Sequence, residues 1–250
     1  MPMAPHIDIS GILLYNQLER YGESGIAMKT KSYTIFGDIA AKTLFLQLVD
    51  EHDSELMDSE AAALRELAGQ GGWCIAAVPV ANWNRDLTPW RGEPVFGKQG
   101  FGDGAPQTLA NLLEQIIPSI EGKYPASERK IILCGYSLAG LFALWASYQT
   151  DRFAGIVAAS PSVWYRDWLA YAEAHTIQTP RVYLSLGDRE ERAKKPVMAS
   201  VGNAIREQYR MLQERGITCQ LDWNPGNHFV DSDRRMARGM AWMFEAFNRK

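Results

Sequence analysis

The chain is short of cysteine, of histidine and of uninterrupted apolar sequence, and each shortage closes off a class of protein. Its three cysteines, Cys74, Cys134 and Cys219, are odd in number and irregularly spaced, which argues against a disulfide framework and against a cysteine metal site. Each sits in or beside an apolar, strand-like run, the usual setting of a buried thiol. No apolar stretch approaches the ~20 residues that span a bilayer. The opening segment "MPMAPHIDISGILLYNQ" has no basic stretch followed by a long apolar one, so no secretory leader is expected and the expected location is the cytoplasm. Basic residues are scattered and the formal net charge is -3, so neither nucleic acid nor an anionic membrane is an expected partner.

What is present is ordinary globular material: 250 residues, 46% of them hydrophobic and 22% charged. That length suits one α/β domain with a sizeable core, and a single domain over residues 1–250 is expected. The pattern alternates. Apolar strand-like runs fall at residues 43–50 ("TLFLQLVD"), 73–80, 130–135 ("KIILCG"), 153–160, 181–187 and 217–223. Helical spacing falls at 59–72, 106–124, 138–148, 166–174, 196–215 and 233–247. Pro106 suits a first helical turn, and Pro118 predicts a kink or break. In 138–148, Leu138, Leu141, Phe142 and Trp145 share one helical face. Strand–helix alternation of this kind predicts a mostly parallel sheet covered on both faces. Residues 1–42 have a mixed pattern and are expected to add one or two antiparallel strands or a β-ribbon. Residues 81–106 form the longest aperiodic segment, and a long loop following a strand belongs at the ligand-binding edge of an open sheet.

One stretch carries chemistry. In "KIILCGYSLAGLFALW", Ser137 follows a strand and precedes a helix. Gly135 and Ala139 supply the small residues that a sharp strand-to-helix turn requires two positions either side of the serine. Such a turn lifts the hydroxyl clear of the fold and sets it on a helix N-terminus, where the N–H of Leu138 is the natural first oxyanion donor. A serine hydroxyl needs a base. Of His6, His52, His175 and His228, only the last two follow Ser137, as the order serine, acid, histidine demands. His175 lies before a strand, at the wrong end of the sheet. His228 lies in "WNPGNHFVDSD", just past the final strand. The acid belongs after the preceding strand, where "YLSLGDREERAKKP" offers Asp188, Glu190 and Glu191. Glu190, three residues past the strand-ending glycine, is preferred and Asp188 is the runner-up.

"ILCGYSLAGLFALWASYQTDRFAGIVAASPSVWY" closely resembles the putative-esterase family of α/β-hydrolases, which includes siderophore esterases, feruloyl and acetyl xylan esterases, S-formylglutathione hydrolase and mycolyltransferases. The resemblance is strong over residues 130–168. It extends more loosely through "RDLTPW", "GDREE" and "GNHF". It implies an α/β-hydrolase fold and a serine esterase with Ser137, Glu190 and His228 as triad, and "GDREE" looks most like the siderophore-esterase branch. Many relatives carry glycine right after the early strand, whereas this chain reads "VDEHDSE". The second oxyanion donor therefore falls to the backbone of Glu51 or His52.

Other features have blander readings. Glu51, His52 and Asp53 are adjacent on one loop and cannot easily converge on one ion, so no metal is expected. "GKQGFGDG" (residues 97–104) lacks the strand before it and the lysine–serine pair of a phosphate loop, and reads as a flexible active-site loop. Trp83, Trp90, Phe101, Trp164 and Trp168 fall in or near loops that should face the site, which suits a planar acyl group. Arg85 and Trp164 are the candidate substrate contacts. The sum is hydrolysis of a small-molecule ester through an acyl-enzyme, with no cofactor. Acyl transfer or thioester cleavage by the same residues, and a catalytically silent binding scaffold, are the alternatives.

Overall fold

A computed structural model describes residues 33–95 and 97–248. The apolar runs become strands β1 (Thr34–Gly37), β2 (Thr43–Val49), β3 (Trp73–Pro79), β4 (Lys130–Tyr136), β5 (Gly155–Ala159), β6 (Arg181–Gly187) and β7 (Thr218–Asn224). They form one sheet in the order β1-β3-β2-β4-β5-β6-β7. β1 runs antiparallel to β3, and every other pairing is parallel. β1 falls in the region where an antiparallel strand was expected; residues 1–32 of that region lie outside the described residues. Between the strands run α1 (Glu51–Ala68), α2 (Trp83–Asp86), α3 (Ala105–Asn111), α4 (Ile117–Lys123), α5 (Ser137–Ala146), α6 (Trp168–Ala174), α7 (Pro196–Ala199) and α8 (Val201–Glu214), with α9 (Ser232–Asn248) after β7. No helix among the described residues is long and apolar enough to cross a membrane.

The strands read as unbroken apolar runs because both faces of the sheet are covered. Leu44, Leu46 and Leu48 of β2 pack with Leu133 of β4 and with α3, α4, α5, α6 and α8. Phe45 and Val49 turn the other way, joining Ile132, Cys134 and Tyr183 under α1 and α9. α5 is buried on every side from Leu138 to Ala146, so the single apolar face expected of it widens to the whole helix. The parallel strands end nearly level: Tyr136 pairs with Ala159, Ala159 with Ser185, and Gly187 with Asn224. The chain therefore leaves β2, β4, β5, β6 and β7 at one edge. The strand order reverses across β2 and β4, and such a switch point is where open α/β sheets bind ligands.

Three helices depart from the periodicity. α1 starts at Glu51 rather than 59, because Asp50 caps it by accepting a hydrogen bond from Asp53 N at 2.8 Å. Asp at the cap with acids in the first turn is a sequence signal of a helix start. The helix expected over 106–124 is interrupted by a π-helical segment, Leu112–Ile116. Pro118 has no N–H to give and its ring crowds the preceding turn, and the wider turn relieves both. The helix expected over 196–215 is split into α7 and α8 at Ser200.

Candidate active site

Ser137 is set by a turn with no intervening loop: Tyr136 is the last residue of β4 and Ser137 the first of α5. Ser137 has φ of +57°, a left-handed backbone that costs a non-glycine residue on the order of 1–3 kcal/mol and persists only where the surroundings enforce it. A Cβ at Gly135 would lie 2.2 Å from the Ala139 carbonyl oxygen, and one at Gly140 would lie 3.0 Å from the Gly135 oxygen and from Pro161. The turn closes only because those side chains are absent. The half-buried Ser137 hydroxyl opens into a cavity of about 690 Å³.

His228, in the loop between β7 and α9, lies with Nε2 3.0 Å from Ser137 Oγ. Its Nδ1 is 2.7 Å from Glu190 Oε2. The carboxylate, buried at the end of β6, accepts through Oε1 from Ser160 Oγ and from the Gly187 N–H, both at 2.7 Å. Burial alone would push the Glu190 carboxyl up. Hydrogen bonding to His228, its charge, and the Ser160 and Gly187 donors outweigh that and hold the carboxyl below its ordinary value. Asp188, the runner-up, accepts from the Gly226 N–H at 2.9 Å, and Glu191 pairs with Arg206 at 2.9 Å. His175 caps the far end of α6, with Nδ1 on the Tyr171 carbonyl at 2.8 Å.

Sequence reasoning missed Arg235. It is 1% exposed and reaches five partners. Nη1 donates to Tyr136 Oη, Ser160 Oγ and Glu190 Oε1 at 3.1, 3.1 and 3.0 Å. Nη2 donates to the Pro225 and Asn227 carbonyls at 3.1 and 2.8 Å. Tyr136 in turn donates to the His228 carbonyl at 2.7 Å. One guanidinium thus ties the acid, the turn carrying the serine and the loop carrying the histidine. The clue lay in its spacing. Arg235 stands one turn before Gly239 and two before Met243, residues that press on β5 and β6, so the arginine falls on the buried stripe of α9.

The start of α1, which follows β2 on the other side of β4 from β6 in the sheet order, also lines the cavity. Asp50, His52 and Asp53 line it, whereas Glu51 is exposed and does not. The Asp50 side chain takes the Asp53 N–H and its carbonyl takes the Ser54 N–H, which leaves the first-turn N–H groups of Glu51 and His52 outside the helix's own bonding. Burial, and then the charge of Asp50, push Asp53 up to about 6. Leu138 also lines the cavity.

Of the two candidate substrate contacts, Trp164 lines the cavity and Arg85 does not. Arg85 is drawn aside by Asp86, which accepts from its Nε at 2.8 Å, and by Gly102, where a Cβ would meet the Arg85 side chain at 2.7 Å. Gly104 packs as closely on the Arg85 carbonyl. Gly100, Gly102 and Gly104 thus let one loop lie on another, and none of them lines the cavity. Trp83 lines the cavity as expected. Trp90, Phe101 and Trp168 instead join a packed aromatic cluster with Tyr165, Tyr171 and Tyr148. Phe229, beside His228 and 85% exposed, lines the cavity mouth.

A model of the family described as Putative esterase matches residues 76–231. The uncharacterized protein YbbA of Bacillus subtilis is 27% identical over 153 residues, 58% of this chain and 60% of that protein, so the match spans less than two thirds of its length. Siderophore hydrolase EstA from Aspergillus nidulans is similar with a TM-score of 0.68 and 20% identity, over 86% of this chain and 90% of that one. An IroE-like serine hydrolase from Shewanella oneidensis is similar with a TM-score of 0.72 and 18% identity, over 88% and 77%. At these identities the likeness is one of fold. With the mostly parallel seven-stranded sheet and its two helical layers, the architecture is that of an α/β-hydrolase.

Proposed function

Since the chain belongs to the Putative esterase family, we propose that it is a serine esterase working through an acyl-enzyme on Ser137. The observation that carries this is the chain of contacts at 3.0 and 2.7 Å from Ser137 through His228 to Glu190, opening on the cavity. Ser137 Oγ attacks the ester carbonyl while His228 Nε2 takes its proton. The N–H of Leu138 and a first-turn N–H of α1, that of Glu51 or His52, serve as the oxyanion donors. The tetrahedral species collapses, the ester C–O bond breaks, and His228 returns the proton to the departing alcohol. Water, deprotonated by His228, then attacks the acyl-enzyme and releases the acid. Glu190 holds His228 in the tautomer with the proton on Nδ1 and stabilises the imidazolium as it forms. The ester is proposed to be of the siderophore type. Support comes from the likeness to a siderophore hydrolase and from a cavity walled by Trp83, Trp164 and Phe229.

A fluorophosphonate probe is expected to label the wild type and not Ser137→Ala. No labelling of the wild type would instead favour a silent scaffold. On a p-nitrophenyl ester, Glu190→Gln is expected to lower kcat by roughly 10³–10⁴-fold. Asp188→Asn, which disturbs one loop hydrogen bond, should cost only a few-fold. The reverse ranking would move the acid to Asp188.

A further inference from the structure

The segment after β6, "DREERAKK", carries three acids and four cations (residues 189, 192, 194 and 195), and the structure uses them unequally. Each acid is engaged: Asp188 with the Gly226 N–H, Glu190 with His228 and Arg235, Glu191 with Arg206. Of the cations, Lys195 donates to the Val95 carbonyl. The side chains of Arg189, Arg192 and Lys194 have no hydrogen-bond or ion-pair partner among the described residues, and all three line the cavity that holds Ser137. A chain whose net charge is -3 thus turns three unmatched positive charges into one wall of its largely apolar site. The other charged wall is acidic: Asp50 and Asp53 at the start of α1.

From this we infer that the cavity selects esters carrying a negative charge away from the scissile bond, held against Arg189, Arg192 and Lys194. The inference rests on the esterase reading of the site and adds the charge class of its substrate. The two walls give it direction. An anion is drawn to the 189–194 side and repelled from the α1 side, so the charge fixes which way round the ester enters. A wall carrying one sign of charge attracts the opposite sign, and salt weakens the effect, because the Debye length is ~10 Å at 0.1 M.

The test compares matched esters. Mono-p-nitrophenyl glutarate carries its charge on the acyl side and 4-acetoxybenzoate on the leaving side. p-Nitrophenyl valerate and phenyl acetate are their neutral counterparts. At low salt the wild type should favour one anionic ester over its counterpart in kcat/KM by about tenfold, and the pair that shows it tells which side carries the charge. Added salt should erode the preference. The triple variant Arg189→Gln, Arg192→Gln, Lys194→Gln should remove most of it, and because the readout is a ratio, a change in folded fraction cancels. A parallel arm measures binding of the same four esters to Ser137→Ala by tryptophan fluorescence, since Trp83 and Trp164 line the cavity. Equal handling of charged and neutral esters, or a preference that survives the triple variant, overturns the inference. Charge-selective binding by Ser137→Ala beside a wild type that hydrolyses no ester would sustain it and strike the esterase reading instead.

Discussion

Replacing Arg235 by methionine removes a side chain that bonds neither Ser137 nor the His228 ring, yet it should disable the site. The variant keeps most of the buried volume and loses every donor. Glu190 retains Ser160 Oγ, the Gly187 N–H and His228, so its charge is weakened in its partnering rather than abandoned. Breaking a buried charged pair costs about 3–5 kcal/mol, and the surviving donors favour the lower end. Two loop carbonyls, of Pro225 and Asn227, also lose their donor at ~1 kcal/mol each. In a chain of this size each kcal/mol lowers Tm by roughly 2–4 °C, so a fall of about 10–20 °C is expected by calorimetry. The catalytic effect is separate. With the carboxylate and the 225–228 loop no longer tied to one guanidinium, the imidazole drifts, and an ångström of drift costs on the order of 10²-fold. Assayed well below its Tm, Arg235→Met should lose about that factor in kcat and in the rate of fluorophosphonate labelling, with KM little changed. Arg235→Lys, which restores one donor, should recover part of the kcat. A variant with lowered Tm but wild-type labelling rate and kcat per folded molecule would refute the positioning role and leave Arg235 a purely structural residue.

Two further perturbations test the frame around the site. Gly135→Ala places a methyl 2.2 Å from a carbonyl oxygen. It should therefore lower Tm and suppress probe labelling at Ser137, whereas Gly71→Ala, with nothing within 4 Å, should do neither. Burial, more than any other influence, pushes Glu60 up from 4.5 to about 8. The folded chain therefore holds a proton that the unfolded chain releases above pH ~4.5, and stability falls as pH rises from there to about 8 by an amount on the order of a few kcal/mol. Glu60→Gln, whose amide oxygen still accepts from Gln47, should flatten Tm between pH 5 and 8. An unchanged slope would mean that another group carries the alkaline loss.

Chain order made much of this legible. In a parallel sheet every strand delivers its following loop to the same edge, so a serine, an acid and a histidine each placed just past a strand end must come near one another. That is why residues 137, 190 and 228 stand out and His175, before a strand, does not. What stayed hidden depends on contacts between segments remote in sequence. Arg85 looked available until Asp86 and Gly102 were seen to occupy it. The early start of α1 was hidden too: the Asp50 cap sets it, and it leaves the N–H groups of Glu51 and His52 free of the helix's own bonding. Arg235 was masked because charge is read as surface, and only its place on the apolar stripe of α9 betrays burial.

Residues 97–104 read in the sequence as a flexible active-site loop, yet the described residues of the segment between β3 and α3 are fastened. Gly92 and Phe101 exchange main-chain bonds at 3.2 and 2.8 Å, the Trp90 indole N–H is held by the Arg166 carbonyl at 2.9 Å, and Tyr165 donates to the Trp90 carbonyl at 2.5 Å. The ordering entropy of that stretch is settled when the chain folds rather than when a guest arrives. A molecule that reaches Trp83, the part of this segment that lines the cavity, should therefore dock without waiting for the segment to close over it.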